Sequence, residues 1–196
     1  RGTRERGPAR FARDAGGRTT SLTNSPGTLG FTYDGATRRV TGISLPNGQS
    51  VVASYFGTTG HRRLQQVRNV QPNAATLSQF DLTYNLGGEI SSWAQQSGAS
   101  PAQNYNLGYD AARQLTSMNA PGRDFGFTYD FAGNLKTKTL NGSTTSFSHN
   151  VLNELQSASP ALGEDKAYVW DGENRLAGIG YTGTSRFTRF KYDGVG

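Results

Sequence analysis

The chain has 196 residues and a mass of 21.1 kDa, with 26 Gly, no Cys, 34% hydrophobic and 11% aromatic residues, and a formal charge of +6. So few aliphatics exclude a thick-cored helical bundle or a doubly wound α/β domain, and the missing Cys excludes a disulfide framework, a thiolate zinc site and a Cys nucleophile. Low hydrophobicity favours disorder, but the modest charge and the many rings oppose it and point instead to short strands and frequent turns.

Taken in chain order, the first ten residues, rich in Arg, Gly and Pro, read as a frayed basic segment. From residue 11 a four-residue pattern then recurs. It appears as Phe11-Ala12-Arg13-Asp14, Phe31-Thr32-Tyr33-Asp34, Ala53-Ser54-Tyr55-Phe56, Leu82-Thr83-Tyr84-Asn85 and Leu107-Gly108-Tyr109-Asp110. It continues as Phe127-Thr128-Tyr129-Asp130, Phe147-Ser148-His149-Asn150, Tyr168-Val169-Trp170-Asp171 and Phe190-Lys191-Tyr192-Asp193. A period of about 20 residues marks a tandem array of small supersecondary units. The region 11–196 therefore reads as about eight repeats with a truncated ninth.

Each unit has one grammar. Phe127 and Tyr129 alternate with Thr128 and Asp130, which is strand periodicity. Asp130-Phe131-Ala132-Gly133-Asn134 then reads as a hairpin turn, with Asp accepting from the turn's own N–H groups and Gly in a left-handed slot. The register predicts that Asp130 faces Asn134, that Tyr129 faces Leu135, and that Phe127 shares their face. The sixth residue after each ring should be apolar, as it is at Ile90, Leu115, Leu135, Leu155 and Leu176. The left-handed slot falls on Gly17, Gly88, Gly133, Asn153, Asn174 and Gly196, with Thr37, Thr59 and Arg113 as departures. Val40 and Leu64 come late, so the second and third repeats carry extra turn residues.

A second turn closes each unit at Pro26-Gly27, Asn47-Gly48, Pro121-Gly122 and Asn141-Gly142. Ala94 to Ala102 reads as an enlarged loop. The expected fold is all-β: tandem hairpins forming a continuous curved antiparallel sheet, in which cross-strand pairs between neighbours supply the stability.

The unit running from Phe127 through Tyr129-Asp130 and Gly133-Asn134-Leu135, together with Trp170-Asp171-Gly172-Glu173-Asn174-Arg175-Leu176 and Tyr192-Asp193-Gly194, resembles the YD repeat of Rhs proteins, insecticidal toxin-complex components and teneurins. The resemblance covers roughly residues 11 to 196. It implies a β-sheet spiral forming a partial hollow shell, in which Tyr33, Asp34, Tyr84, Tyr109, Asp110, Tyr129, Asp130, Gly133, Asn134, Leu135, Trp170, Asp171, Asn174, Leu176, Tyr192 and Asp193 are structural repeat positions. It further implies a secreted or cell-surface protein whose shell encloses a C-terminal toxin or effector domain. Further repeats, the secretion machinery and surface carbohydrate are the other implied partners. In that family a Pro-rich self-cleavage element follows the repeats, and the chain carries no Asp-Pro dipeptide. The opening Arg1-Gly2-Thr3-Arg4 and the stop at Gly196 read as those of a fragment.

No catalytic, metal or cofactor site is expected. The repeated Asp residues are assigned to turns rather than to an acid/base pair, which would need two carboxylates about 5–10 Å apart across a cleft. His149 takes a ring slot, and His61 lies in the basic run His61-Arg62-Arg63. No Gly-x-Ser-x-Gly elbow occurs, and the glycines are assigned to hairpin turns rather than to a phosphate loop. The basic residues, from Arg1, Arg4, Arg6, Arg10, Arg13 and Arg18 to Arg38-Arg39, read as a solvated surface rather than a nucleic-acid interface, because the rings sit at sheet-pairing slots. Two functions from different classes follow: a structural shell segment, or an aromatic hairpin module that binds cell-surface carbohydrate. With only Trp93 and Trp170 available for exposed cages, the second is the weaker. A membrane barrel ranks last, since its aromatics belong at the rims.

Overall fold

The computed structural model describes residues 9–193. The chain divides after Tyr105 into two units. In the first, β1 (Arg10–Arg13), β2 (Thr19–Asn24), β3 (Gly27–Tyr33), β4 (Val40–Ser44), β5 (Ser50–Tyr55), β6 (Leu64–Val70), β7 (Thr76–Tyr84) and β8 (Ile90–Ser97) each pair antiparallel with the next. A single 3-10 turn, Thr58–Gly60, lies between β5 and β6. The strand β9 (Gln103–Tyr109) carries the chain into the second unit. There it pairs with β10 (Leu115–Ala120), and the meander continues through β11 (Arg123–Tyr129), β12 (Leu135–Leu140), β13 (Ser143–His149), β14 (Leu155–Pro160), β15 (Lys166–Trp170), β16 (Leu176–Tyr181) and β17 (Phe187–Arg189). Pairing order is sequence order throughout each unit, which is what a tandem hairpin array dictates.

Alternation gives each unit two unlike faces. Across β11 and β12, Phe125 opposes Leu140, Phe127 opposes Lys138 and Tyr129 opposes Leu135. Between them Gly126 opposes Thr139 and Thr128 opposes Thr137 on the other face. That second face is a field of hydroxyl pairs, with Thr128–Thr137 and Ser148–Ser157 at 2.6 Å and Thr139–Thr144 at 2.9 Å. The first unit repeats the scheme. Leu22 opposes Leu29, Phe31 opposes Ile43, Val67 opposes Phe80 and Leu82 opposes Trp93. Thr23–Thr28 and Thr83–Ser92 bond through their hydroxyls at 2.9 and 2.6 Å on its polar face. Among the described residues only Val70, Ala158 and Gly178 are buried. The ring face is half-buried, so its packing consists of side-by-side contacts between neighbouring strands rather than a core between layers.

Several expectations are corrected. Ala94–Ser97 is not loop but the end of β8, because the nine-residue β7 offers Asp81, Phe80, Gln79 and Ser78 as partners for these four residues. The loop is confined to residues 98–102. Asn47-Gly48 does not form a two-residue turn. Leu45 N–H donates to Gln49 C=O and only Gly48 is left-handed, which is a three-residue loop with a bulge. Asn141-Gly142 does form the two-residue turn, both at positive φ. Thr37 and Thr59 are not left-handed. The longer second and third turns place Gly35, and then His61 and Arg62, in that region instead. Arg113 keeps its slot at φ 65°. The final ring pattern, Phe190 to Asp193, lies beyond β17 and is not strand. Arg10 lies in β1 rather than in a frayed segment. Arg1, Arg4, Arg6 and Gly196 fall outside the described residues.

Candidate functional site: a ladder joining each repeat to the one before

The turns that carry the motif are built alike. In the sixth repeat Asp130 N–H donates to Asn134 C=O and Gly133 N–H to Asp130 C=O, both near 3 Å. Asp130 Oδ1 accepts the N–H groups of Ala132 and Asn134, each at 2.9 Å. Asp14 and Asp171 grip their own turns in the same way, and Asp110 accepts from Gln114 N–H at 2.8 Å. Asn85 and Asn150 do the same with a neutral amide oxygen. These donors hold the carboxyls of Asp14, Asp130 and Asp171 below the usual Asp range. The Asn134 side chain is the leading cause at Asp130, and the backbone N–H of Arg18 and of Arg175 at Asp14 and Asp171. Gly133, Asn153 and Asn174 occupy the left-handed position.

The sequence did not reveal where the ring tips go. Six of the motif rings reach back to the preceding repeat and donate to the backbone carbonyl of the first residue of its second strand. Tyr33 Oη donates to Thr19 C=O at 2.6 Å, Tyr55 to Val40 at 2.8 Å and Tyr84 to Leu64 at 2.9 Å. In the second unit Tyr129 donates to Leu115 at 2.8 Å, Trp170 Nε1 to Leu155 at 2.8 Å and Tyr192 to Leu176 at 2.9 Å. This explains why the slot takes Tyr or Trp rather than Phe: the ring fills the face and its polar tip fastens the neighbour. A break in register at the ring accompanies the contact at Tyr33, Tyr55, Tyr84, Tyr129 and Trp170.

A second rail runs beside it. The residue just before the second strand of the hairpin is Arg in four repeats, and each guanidinium lies over the next repeat's ring. Arg18 is 4.8 Å from the Tyr33 centroid, Arg39 5.5 Å from Tyr55, Arg63 5.2 Å from Tyr84 and Arg175 4.9 Å from Tyr192. Three of them also pair with their own turn's carboxylate: Arg18–Asp14 and Arg39–Asp34 at 2.6 Å, and Arg175–Asp171 at 2.9 Å. Arg18 donates further to Gly35 C=O and Thr37 C=O in the following turn. Where Asn134 takes the Arg slot, its amide bonds both Asp130 and Asn153 of the next repeat. The expectation of a merely solvated basic surface is therefore corrected at Arg18 and Arg39. The recurrence of Arg just before the second strand was the signal available for it.

The remaining named positions fit unevenly. Tyr109 opposes Leu115, Trp170 opposes Leu176 and His149 opposes Leu155. Asp34 does not cap with Oδ1. Thr37 takes over, accepting Arg39 N–H through its hydroxyl while Asp34 Oδ2 binds the Arg39 guanidinium. Asp193 is exposed beyond β17. Among the described residues no group of three or more His, Asp or Glu side chains is placed to hold a metal ion.

These features define an all-β tandem-hairpin repeat protein with hydrogen-bonded rungs between repeats. Its fold is that of solved TcdB2-TccC3 structures, an Rhs/YD-repeat toxin complex. TcdB2-TccC3-TEV matches with a TM-score of 0.64 at 16% identity, over 96% of this chain and 12% of that one. TcdB2-TccC3 without its hypervariable C-terminal region matches at 0.58 and 14% identity, and TcdB2-TccC3-Cdc42 at 0.58 and 15%. The likeness is one of fold, and the chain spans only about an eighth of the length of the proteins it matches. No protein-family model and no curated protein matches the sequence.

Proposed function

We propose that this chain is a wall segment of an Rhs/YD-repeat shell that encloses a C-terminal toxin or effector domain of a secreted or cell-surface protein. Its role is mechanical rather than catalytic. The observation that supports this reading is the ladder: ring tips and guanidinium groups fasten each repeat to its neighbour, leaving a single layer without a core of its own. A protein that needed only stability would bury its ring face against a second layer. A partition needs area, continuity and an unlike surface on each side, which this architecture supplies. The alternative of a repeated sugar-binding cage is disfavoured because the motif rings are committed to the rungs, and Trp93 stacks on Tyr105 at 4.8 Å rather than standing open.

The test is protection of a cargo. In the whole reading frame, the segment following residue 196 should resist protease while the wall is intact and become cleavable when Tyr33→Ala and Tyr129→Ala remove two rungs. Equal digestion in both forms, or a reading frame with nothing after residue 196, would reject enclosure.

A further inference from the structure

The chain's surplus of positive charge is confined to one half of it. The first unit, residues 1–105, holds eleven Arg and no Lys against five acidic residues, whereas the second unit balances nine cations with nine carboxylates. Such asymmetry points to an anionic surface as partner. Every second connection of the first unit is a motif turn, so the turns after β1, β3, β5 and β7 all lie at one edge of its sheet. Neighbouring motif turns are two strands apart, which sets them about 10 Å from one another. Arg13 borders the first of these turns, Arg38 lies in the second, and His61, Arg62 and Arg63 lie in the third. Arg13, Arg38 and Arg62 are exposed, and none of these four Arg forms an ion pair among the described residues. The acids beside them are occupied, Asp14 by Arg18 and Asp34 by Arg39. In the third turn Phe56 stands where Asp or Asn stands elsewhere, so that turn carries no carboxylate.

The same edge carries an apolar tip. Leu86, at the apex of the fourth turn, is fully exposed, with Gly87 and Gly88 after it. Glu89, the one carboxylate of that turn, is half-buried and folds back over Gly87. Phe56, His61, Arg63 and Leu86 line one open cavity between the third and fourth turns, so cationic and apolar side chains share a rim. A row of guanidinium groups ending in an apolar tip is the chemistry of a lipid interface: the cations meet headgroup phosphates and the aliphatic side chain enters the acyl boundary. Nucleic acid fits less well. Single strands need free ring faces for their bases, and Tyr33, Tyr55 and Tyr84 are held in rungs and overlaid by Arg18, Arg39 and Arg63. A duplex would leave Leu86 without a partner.

We propose that the motif-turn edge of the first unit docks on an anionic membrane surface, with Arg13, Arg38, Arg62 and Arg63 on lipid phosphates and Leu86 inserted at the acyl boundary. This holds whether or not the wall encloses a cargo. The test is co-sedimentation of the 196-residue chain with vesicles of phosphatidylcholine alone and of phosphatidylcholine mixed with phosphatidylserine. The mixed vesicles should bind the chain at least about tenfold more tightly. Arg38→Gln and Arg62→Gln should each weaken that binding about fivefold, the worth of one cation near a charged bilayer. Arg123→Gln and Lys166→Gln remove the same charge from the second unit and should leave binding unchanged. The chain has no cysteine, so Leu86→Cys gives a single attachment point for an environment-sensitive dye. Its emission should shift to the blue on mixed vesicles, whereas the same dye at Gly172→Cys, on a turn of the second unit, should not respond. Equal binding to both kinds of vesicle, no binding, equal losses in the two pairs of variants, or an unmoved dye at position 86 would overturn the assignment. Displacement from the vesicles by duplex DNA at equal phosphate concentration would overturn it in favour of a nucleic acid.

Discussion

A tyrosine hydroxyl explains more about this chain than any charged group. Tyr129 half-buries its ring beside Leu135 and fastens Leu115 C=O through its tip. Removing the tip alone, in Tyr129→Phe, should cost about 1 kcal/mol, the net worth of one intramolecular hydrogen bond. Removing the ring as well, in Tyr129→Ala, should cost about 3 kcal/mol. Urea denaturation of the two variants separates rung from ring, and equal losses would show that the hydroxyl contributes nothing. The turn carboxylates give a second residue-scale test. Asp14, Asp130 and Asp171 are held below their ordinary value of 3.8 in the fold. Depressed folded values mean that their stabilisation is fully present above the unfolded value and is lost as pH falls through the folded one. The urea midpoint should therefore decline as the solution is acidified below about pH 4. Asn85 and Asn150 already do the same turn work without charge, so Asp130→Asn should fold normally and show a shallower acid decline. An unchanged decline would place the acid sensitivity elsewhere.

At the scale of the hairpin, the five-residue motif turn was legible because its requirements are local. A carboxylate that accepts two N–H groups and a left-handed fourth position leave marks in the sequence at Asp130, Gly133 and Asn174. The rungs were illegible for the converse reason: their acceptor is a backbone carbonyl, which every residue carries, so Leu115 or Thr19 shows nothing of its role. The end of β8 was misread because Ala94, Gln95 and Gln96 have weak strand preference, and their conformation is set by the length of β7 across from them. Left-handed slots held by residues other than Gly or Asn offer a direct test. Ala74 closes the β6–β7 turn at φ 66°. A β-carbon there costs about 1 kcal/mol, so Ala74→Gly should raise stability by roughly half that after the added chain entropy of Gly is subtracted. A fall in thermal midpoint would mean that this turn is not left-handed in solution.

Across the whole molecule, every pairing joins sequence neighbours, and stability is approximately a sum over adjacent repeats. Cutting the loop at residues 98–102 should thus leave each fragment with strand-type circular dichroism. Loss of signal in both would mean that the array is more cooperative than its local pairings imply. The strands β1 and β17 each have one described partner, β2 and β16. Unpaired strand edges are templates for association. Light scattering of the 196-residue chain should accordingly give a mass above 21.1 kDa that rises with concentration. A constant monomer mass would show that both edges are covered.

All six fastenings point the same way: donor on the later repeat, acceptor on the earlier one. A ribosome releases the amino end first, so each acceptor carbonyl emerges before the phenol or indole that binds it. Growth of the nascent chain is thereby vectorial, like bricks each keyed into the course already laid. Each of these rungs can close only once the later repeat has emerged, so a chain arrested just after Tyr129 already carries donor and acceptor for the rungs of Tyr33, Tyr55, Tyr84 and Tyr129.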